Sequence, residues 1–189
     1  SSEGKRAMNL KGKKIIILLE HNYQDMEVWV PYYRLLEEGA TVLFAGTGSQ
    51  KSYSGKYGCP AVPHTTADKL KVADCDAVII PGGWAPDFLR RHSAVLKFVQ
   101  KMDQSGKVVA SICHGGWVLA SAMNLKGRKC TSFFAIKDDL IHAGATYLDK
   151  EVVVDKNLIT SRTPDDLPAF TREIIRSLQD GKVVGILSD

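Results

Sequence analysis

Val108-Val109-Ala110-Ser111-Ile112-Cys113-His114-Gly115-Gly116 is the stretch that decides the fold. Its first half is a short, uncharged, β-branched run, the pattern of a strand buried on both faces. It passes without a linker into a Gly pair and then into Trp117-Val118-Leu119-Ala120-Ser121-Ala122, which reads as a helix. A buried strand that turns straight into a helix needs small residues beside the turning residue. Ser111-Ile112-Cys113-His114-Gly115 supplies them in the order small, any, nucleophile, any, Gly. This is the pattern of a nucleophile elbow, where a strained backbone pushes one side chain out over the sheet edge. Cys113 is therefore the candidate nucleophile. The helix that follows offers free N–H groups and a dipole that favours thiolate over thiol. The same N–H groups suit a developing oxyanion. The plain alternative is a core cysteine beside a Gly-rich loop.

Moving outward, the same logic repeats. Lys13-Lys14 lead into Ile15-Ile16-Ile17-Leu18-Leu19, a second buried strand. A helical pattern follows from Asp25 through Met26, Trp29, Val30, Tyr33 and Leu36, closed by Gly39. Pro31 inside it predicts a kink or a restart. Thr41-Val42-Leu43-Phe44-Ala45 then completes a β-α-β unit, which implies a parallel pair with a right-handed crossover. Residues 49–63 are rich in Gly, Ser, Tyr and Pro and predict a small hairpin-like excursion around Gly55 and Gly58. Ala77-Val78-Ile79-Ile80 is a further buried strand that stops at Pro81-Gly82-Gly83. Helices are expected from Ala85, over residues 93–103, over 137–143 and over 167–178. Short strands are expected at 129–131 and 146–148, and a hairpin turns at Asp155-Lys156-Asn157. Alternating strands and helices define a doubly wound α/β fold with a mostly parallel sheet. Sites in such sheets form at the carboxyl ends of strands, where each polar cluster of this chain lies.

The chain has 189 residues, 44% hydrophobic and 24% charged, with a formal net charge of +4. That suits one globular domain over residues 13–180. Residues 1–12 read as a tag remnant or disordered N-terminus, with Met8 a plausible start, and 181–189 as a tail without an assignable role. Basic residues are scattered, with no basic run interleaved with aromatics, which argues against nucleic-acid binding. No stretch is apolar enough to span or anchor in a membrane. The four cysteines, Cys59, Cys75, Cys113 and Cys130, form no Cys-x-x-Cys pair and no metal spacing with His. The expectation is a cytoplasmic protein without a metal or other cofactor.

Three residues are placed to assist Cys113. His114 adjoins it and can serve as base or imidazolium. Glu27 and Glu20 both follow the first strand, which is expected to neighbour the Cys113 strand. A buried carboxyl there would have a raised pKa and could exchange a proton. Spacing leaves the two open. The Gly82-Gly83 loop could turn N–H groups towards a ligand, and Asp87 behind it is equally a first-turn helix acid.

Together these residues resemble the ThiJ/PfpI superfamily, from Lys13 to Leu178. The resemblance rests on Pro81-Gly82-Gly83-Trp84-Ala85-Pro86-Asp87, on Ala110 through Gly115, on Ile136-Lys137-Asp138-Asp139, and on Ser161-Arg162-Thr163-Pro164-Asp165-Asp166-Leu167, which matches the PfpI branch. It implies a flavodoxin-like three-layer α/β/α sandwich, Cys113 as nucleophile and His114 as base. It selects Glu27 over Glu20 as the acid near the sulfur. It also implies a homodimer or hexamer with the site near a subunit interface, where a neighbour contributes Asp87, one methylene shorter than the usual Glu. Trp84 stands where a basic residue is common, and Asn22 and Gln24 replace acidic residues. The activities implied are a cofactor-independent type III glyoxalase or deglycase acting on α-oxoaldehydes, an intracellular cysteine peptidase taking small peptides, or a redox-sensing or chaperone-like stress protein. A glutamine amidotransferase would need a later His-x-Glu, and His142 has no Glu two residues on.

Overall fold

The computed structural model describes residues 9–179. In chain order the elements are β1 (Lys14–Leu18), α1 (Asp25–Glu37), β2 (Thr41–Gly46), β3 (Tyr53–Ser54), β4 (Pro60–Ala61), β5 (Thr65–Thr66) and β6 (Ala77–Ile80). Then follow α2 (Ala85–Leu89), α3 (Ser93–Gln104), β7 (Val108–Ile112), α4 (Gly116–Ala122), β8 (Lys129–Cys130) and α5 (Lys137–His142). The described chain closes with β9 (Thr146–Tyr147), β10 (Val153–Asp155), β11 (Leu158–Ser161) and α6 (Leu167–Leu178).

Seven strands form one sheet in the order β10-β11-β7-β6-β1-β2-β5. All its pairs are parallel except β10 with β11, the edge hairpin that turns through Lys156 at φ 55°. The central strands are uncharged after Lys14 because helices cover both faces. Ile15, Ile16, Ile17, Val78, Ile79, Ile80, Val109 and Ala110 are all fully buried. Helix α1 packs on α6, and α3 on α4. Each buries one stripe: α6 sinks Leu167, Phe170, Ile174 and Leu178, and α3 sinks Val95, Phe98, Val99 and Met102. The architecture is the flavodoxin-like α/β/α sandwich that the sequence predicts.

Three expectations change. The domain begins before residue 13: Leu10 is fully buried and its N–H donates to Glu38 O at 2.9 Å. Residues 1–8 and 180–189 lie outside the described residues. Helix α1 runs unbroken through Pro31, which is buried on its inner face; that packing offsets the missing N–H. Finally, β1 and β7 are not neighbours. β6 lies between them, pairing with both, because the second crossover returns beside β1 and the third continues outward. The site is thus built over the end of β6.

Candidate active site

Cys113 sits in the left-handed region at φ 61°. A non-Gly residue takes that conformation only where its surroundings enforce it. Here Ile112 ends β7 in extended geometry and a single 3₁₀ turn, Cys113–Gly115, leads into α4. Gly115 makes the turn possible, since a Cβ there would stand 2.6 Å from Ile80 O. Gly82 makes the site possible. A Cβ on it would lie 2.6 Å from Glu27 Oε1, 2.7 Å from Cys113 Cβ and 3.1 Å from Cys113 Sγ. The acid and the sulfur therefore flank one point above β6, which only glycine leaves open.

Glu27 is fully buried. Gln24 places it, accepting N–H bonds from Met26 at 2.7 Å and Glu27 at 3.3 Å as the cap of α1. Gly82 N–H donates to Glu27 Oε1 at 2.8 Å, while Oε2 is buried without a hydrogen-bond partner. Burial pushes this carboxyl up to about 8, against the smaller opposing pull of the Gly82 N–H and the Lys56 charge. Glu27 is therefore a neutral acid at pH 7. Glu20, the competing acid, belongs to a separate cluster. Its carboxylate accepts from Thr47 Oγ1, from Ser49 Oγ at 2.7 Å and from His21 N–H at 2.8 Å.

His114 Nδ1 is 3.4 Å from Cys113 Sγ. Its ring is held by Trp84, stacked with centroids 6.2 Å apart, by Phe133 at 4.9 Å and by Trp117 at 5.1 Å. Burial in that aromatic enclosure, and secondarily the Lys56 charge, lowers its pKa below the usual imidazole range. It is a neutral base at pH 7.

The thiol corrects the sequence-based expectation of a depressed pKa. Burial first, and the Glu27 charge second, push Cys113 up to about 12, with the N–H groups of His114 and Gly83 opposing. A short 3₁₀ turn and two amides do not offset the loss of water around the sulfur. Burial and the Glu27 charge thus work against the low-pKa thiol on which the redox-sensor reading rests. The proposed backbone donors also divide. Gly83 and His114 turn their N–H groups to the sulfur, while Gly82 spends its N–H on Glu27. Asp87 does not line the Cys113 cleft; it is ion-paired with Arg91 at 2.9 Å and half-exposed.

Sequence reasoning missed one wall of the cleft, which measures about 430 Å³. The β3–β4 hairpin folds back over it and brings Lys56 and Tyr57 to its rim. Lys56 N–H donates to Tyr23 O at 2.9 Å, and Asp25 accepts from Tyr57 N–H at 3.0 Å and Cys59 N–H at 2.9 Å. The Gly-rich composition of residues 49–63 signalled a hairpin but not its docking place. Thr163 and Asp165 form another part of the rim. Arg162 fixes that loop, its guanidinium forking onto Asp166 at 2.9 and 3.0 Å. Among the described residues no cluster of His, Cys, Asp and Glu could hold a metal ion, and no helix is long and apolar enough to cross a membrane.

Fold and site together define an α/β sandwich with a cysteine on a strained elbow, a buried acid and an imidazole. A sequence model of the DJ-1/PfpI family matches residues 13–177, and the chain belongs to that family. It is 42% identical over 166 residues to the deglycase PH1704 of Pyrococcus horikoshii, covering 88% of this chain and 99% of that one. It is 41% identical over 168 residues to protein/nucleic acid deglycase 2 of Escherichia coli, covering 88% and 98%. A Bacillus subtilis relative provisionally named a cysteine protease, YraA, is 39% identical over 88% of this chain and 99% of its own. Among solved structures, Drosophila melanogaster DJ-1beta superposes with a TM-score of 0.82 at 28% identity, over 88% of this chain and 90% of that one.

Proposed function

We propose that this protein is a cysteine-dependent, cofactor-independent enzyme that converts α-oxoaldehydes such as methylglyoxal, free or as adducts, to α-hydroxy acids. The observation that carries this reading is that a buried carboxyl, Glu27, and an imidazole, His114, flank one sulfur, where burial raises the carboxyl pKa and lowers the imidazole's. Two groups with pKa values pushed to these sides suit one acid and one base role at neutral pH. The deglycase names of two relatives support it.

In the proposed reaction His114 Nδ1 takes the thiol proton as Sγ bonds to the aldehyde carbon, and Glu27 protonates the aldehyde oxygen. The raised thiol makes deprotonation part of the attack rather than a step before it. Glu27, now ionised, removes the hydrogen on that carbon. The electron pair forms an enediol as the His114 imidazolium protonates the neighbouring carbonyl oxygen. Glu27 gives its proton to the second carbon and accepts the hydroxyl proton of the first, leaving a thioester: the first carbon is oxidised by two electrons and the second reduced by two. Water then adds, the C–S bond breaks, the thiol is restored and lactate leaves. The N–H groups of Gly83 and His114 suit the oxyanion. Exposed Met26, Val30 and Tyr33 on α1 support self-association, through which a second copy would present Asp87.

Peptide cleavage is the second reading, favoured by the Cys–His pair and the YraA relative. Pure protein given methylglyoxal without glutathione, and separately small peptide amides, distinguishes them. Lactate release without peptide cleavage is expected; peptide cleavage without lactate overturns the first reading.

A further inference from the structure

The docked hairpin gives the Cys113 cleft one cation. Lys56 is carried on an exposed tip, yet that tip is tied down at several points. Gly55 N–H donates to Cys59 O at 2.8 Å and Lys56 N–H to Tyr23 O at 2.9 Å. Asp25 accepts from both Tyr57 and Cys59, and Tyr23 Oη donates to Cys59 O. Gly55 is required there, because a Cβ would stand 2.4 Å from the Asp25 carboxyl. These bonds, two of them to Asp25 at the start of the helix that carries Glu27, hold the hairpin backbone at the rim of the cleft.

The Lys56 ammonium carries no ion pair among the described residues. It lies over the Tyr57 ring, with the centroid at 5.2 Å. Its charge is felt by Glu27, Cys113 and His114 alike. Asp165 stands on the exposed rim of the cleft, and the Asp25 carboxylate lies under the hairpin, where it accepts the Tyr57 and Cys59 N–H groups. A substrate bound at Cys113 meets the Lys56 ammonium as the one cationic side chain lining the cleft, together with an apolar wall of Trp84, Phe133 and Met26.

We infer that Lys56 is a specificity residue that selects substrates carrying a carboxylate a few bonds from the reacting carbonyl. The class is anionic α-oxoaldehydes and oxoaldehyde adducts with a free carboxylate. This inference rests on the proposed oxoaldehyde reading. It adds no chemical step: the carboxylate stays intact and binds, while Sγ attacks the aldehyde as before.

The test compares dioxovalerate, an α-oxoaldehyde with a terminal carboxylate, with its methyl ester. The two differ in charge and share the reacting end. The readout is the ratio of their kcat/KM values, in which any general effect of Lys56 on Glu27, Cys113 or His114 cancels. For a partly exposed ion pair the wild type should prefer the acid by about fivefold, less at high salt. Lys56→Arg should keep the preference, Lys56→Met should bring the ratio to about one, and Lys56→Glu should favour the ester. An unchanged ratio in Lys56→Met, or a wild-type ratio indifferent to salt, overturns the inference while leaving the oxoaldehyde reading intact. Turnover of methylglyoxal but of neither compound overturns the inference alone, and no turnover of any of the three by the wild type overturns both.

Discussion

Replacing Glu27 by Gln tests the electrostatics of the site through folding stability alone. Gln keeps the oxygen that accepts the Gly82 N–H and stays neutral at every pH. The wild-type carboxyl titrates near 4.5 when unfolded and at about 8 when folded. Between those values the folded chain holds a proton that the unfolded chain has lost, so wild-type stability falls as pH rises. Over pH 5 to 8 the loss relative to Glu27→Gln should be about 3 kcal/mol. This follows from about 1.4 kcal/mol for each pH step between the unfolded and folded titrations, allowing for the curvature near each end. His114 acts in the opposite sense below the usual imidazole value, because its folded pKa is lowered; it is common to both proteins and cancels in the difference. Cys113, raised to about 12, is protonated in the folded state throughout this range, and its unfolded value of 9.0 lies above it. Urea unfolding of both proteins at half-unit pH steps gives the difference directly. Curves that run parallel from pH 5 to 8 would refute a protonated, desolvated Glu27.

Two further substitutions probe the geometry. Gly82→Ala places a methyl within 2.7 Å of both Glu27 Oε1 and Cys113 Cβ; it should cost about 1–3 kcal/mol by overpacking and lower kcat/KM about 100-fold by displacing the sulfur, read by unfolding and by oxoaldehyde turnover. Arg162→Met should cost about 2 kcal/mol, because it strips the guanidinium from Asp166, which is 4% exposed. The double variant Arg162→Met/Asp166→Leu should recover part of that loss in the same unfolding assay.

The elbow was legible in the sequence because it is local. Ser111, Gly115 and Gly116 beside Cys113 report a backbone constraint within a few residues, and the φ of 61° at Cys113 is its consequence. The strands were legible because burial on both faces leaves an uncharged run. The order of strands was not, since nothing in Ile15–Ile17 or Val108–Ile112 tells that β6 pairs with both. Glu27 and Glu20 could not be separated by spacing either. Glu20, in the loop after β1, meets the Thr47 and Ser49 hydroxyls, while Glu27, in the first turn of α1, meets Gly82, and the family resemblance, not the pattern, selected Glu27. The hairpin wall with Lys56 depends on Asp25 and Tyr23, some thirty residues earlier. The thiol was not legible locally, because burial, a property of the whole fold, raises it against the pull of two backbone amides.

The central claim is that the Cys113 sulfur itself bonds to the substrate carbon. Acid-quenching the enzyme during methylglyoxal turnover, followed by peptide mass spectrometry, measures that bond. The account predicts one substrate mass on the Cys113 peptide of the wild type, none on Cys59, Cys75 or Cys130, and loss of both adduct and lactate in Cys113→Ser. Lactate formed at the wild-type rate by Cys113→Ser, or an adduct on another cysteine during turnover, would contradict it.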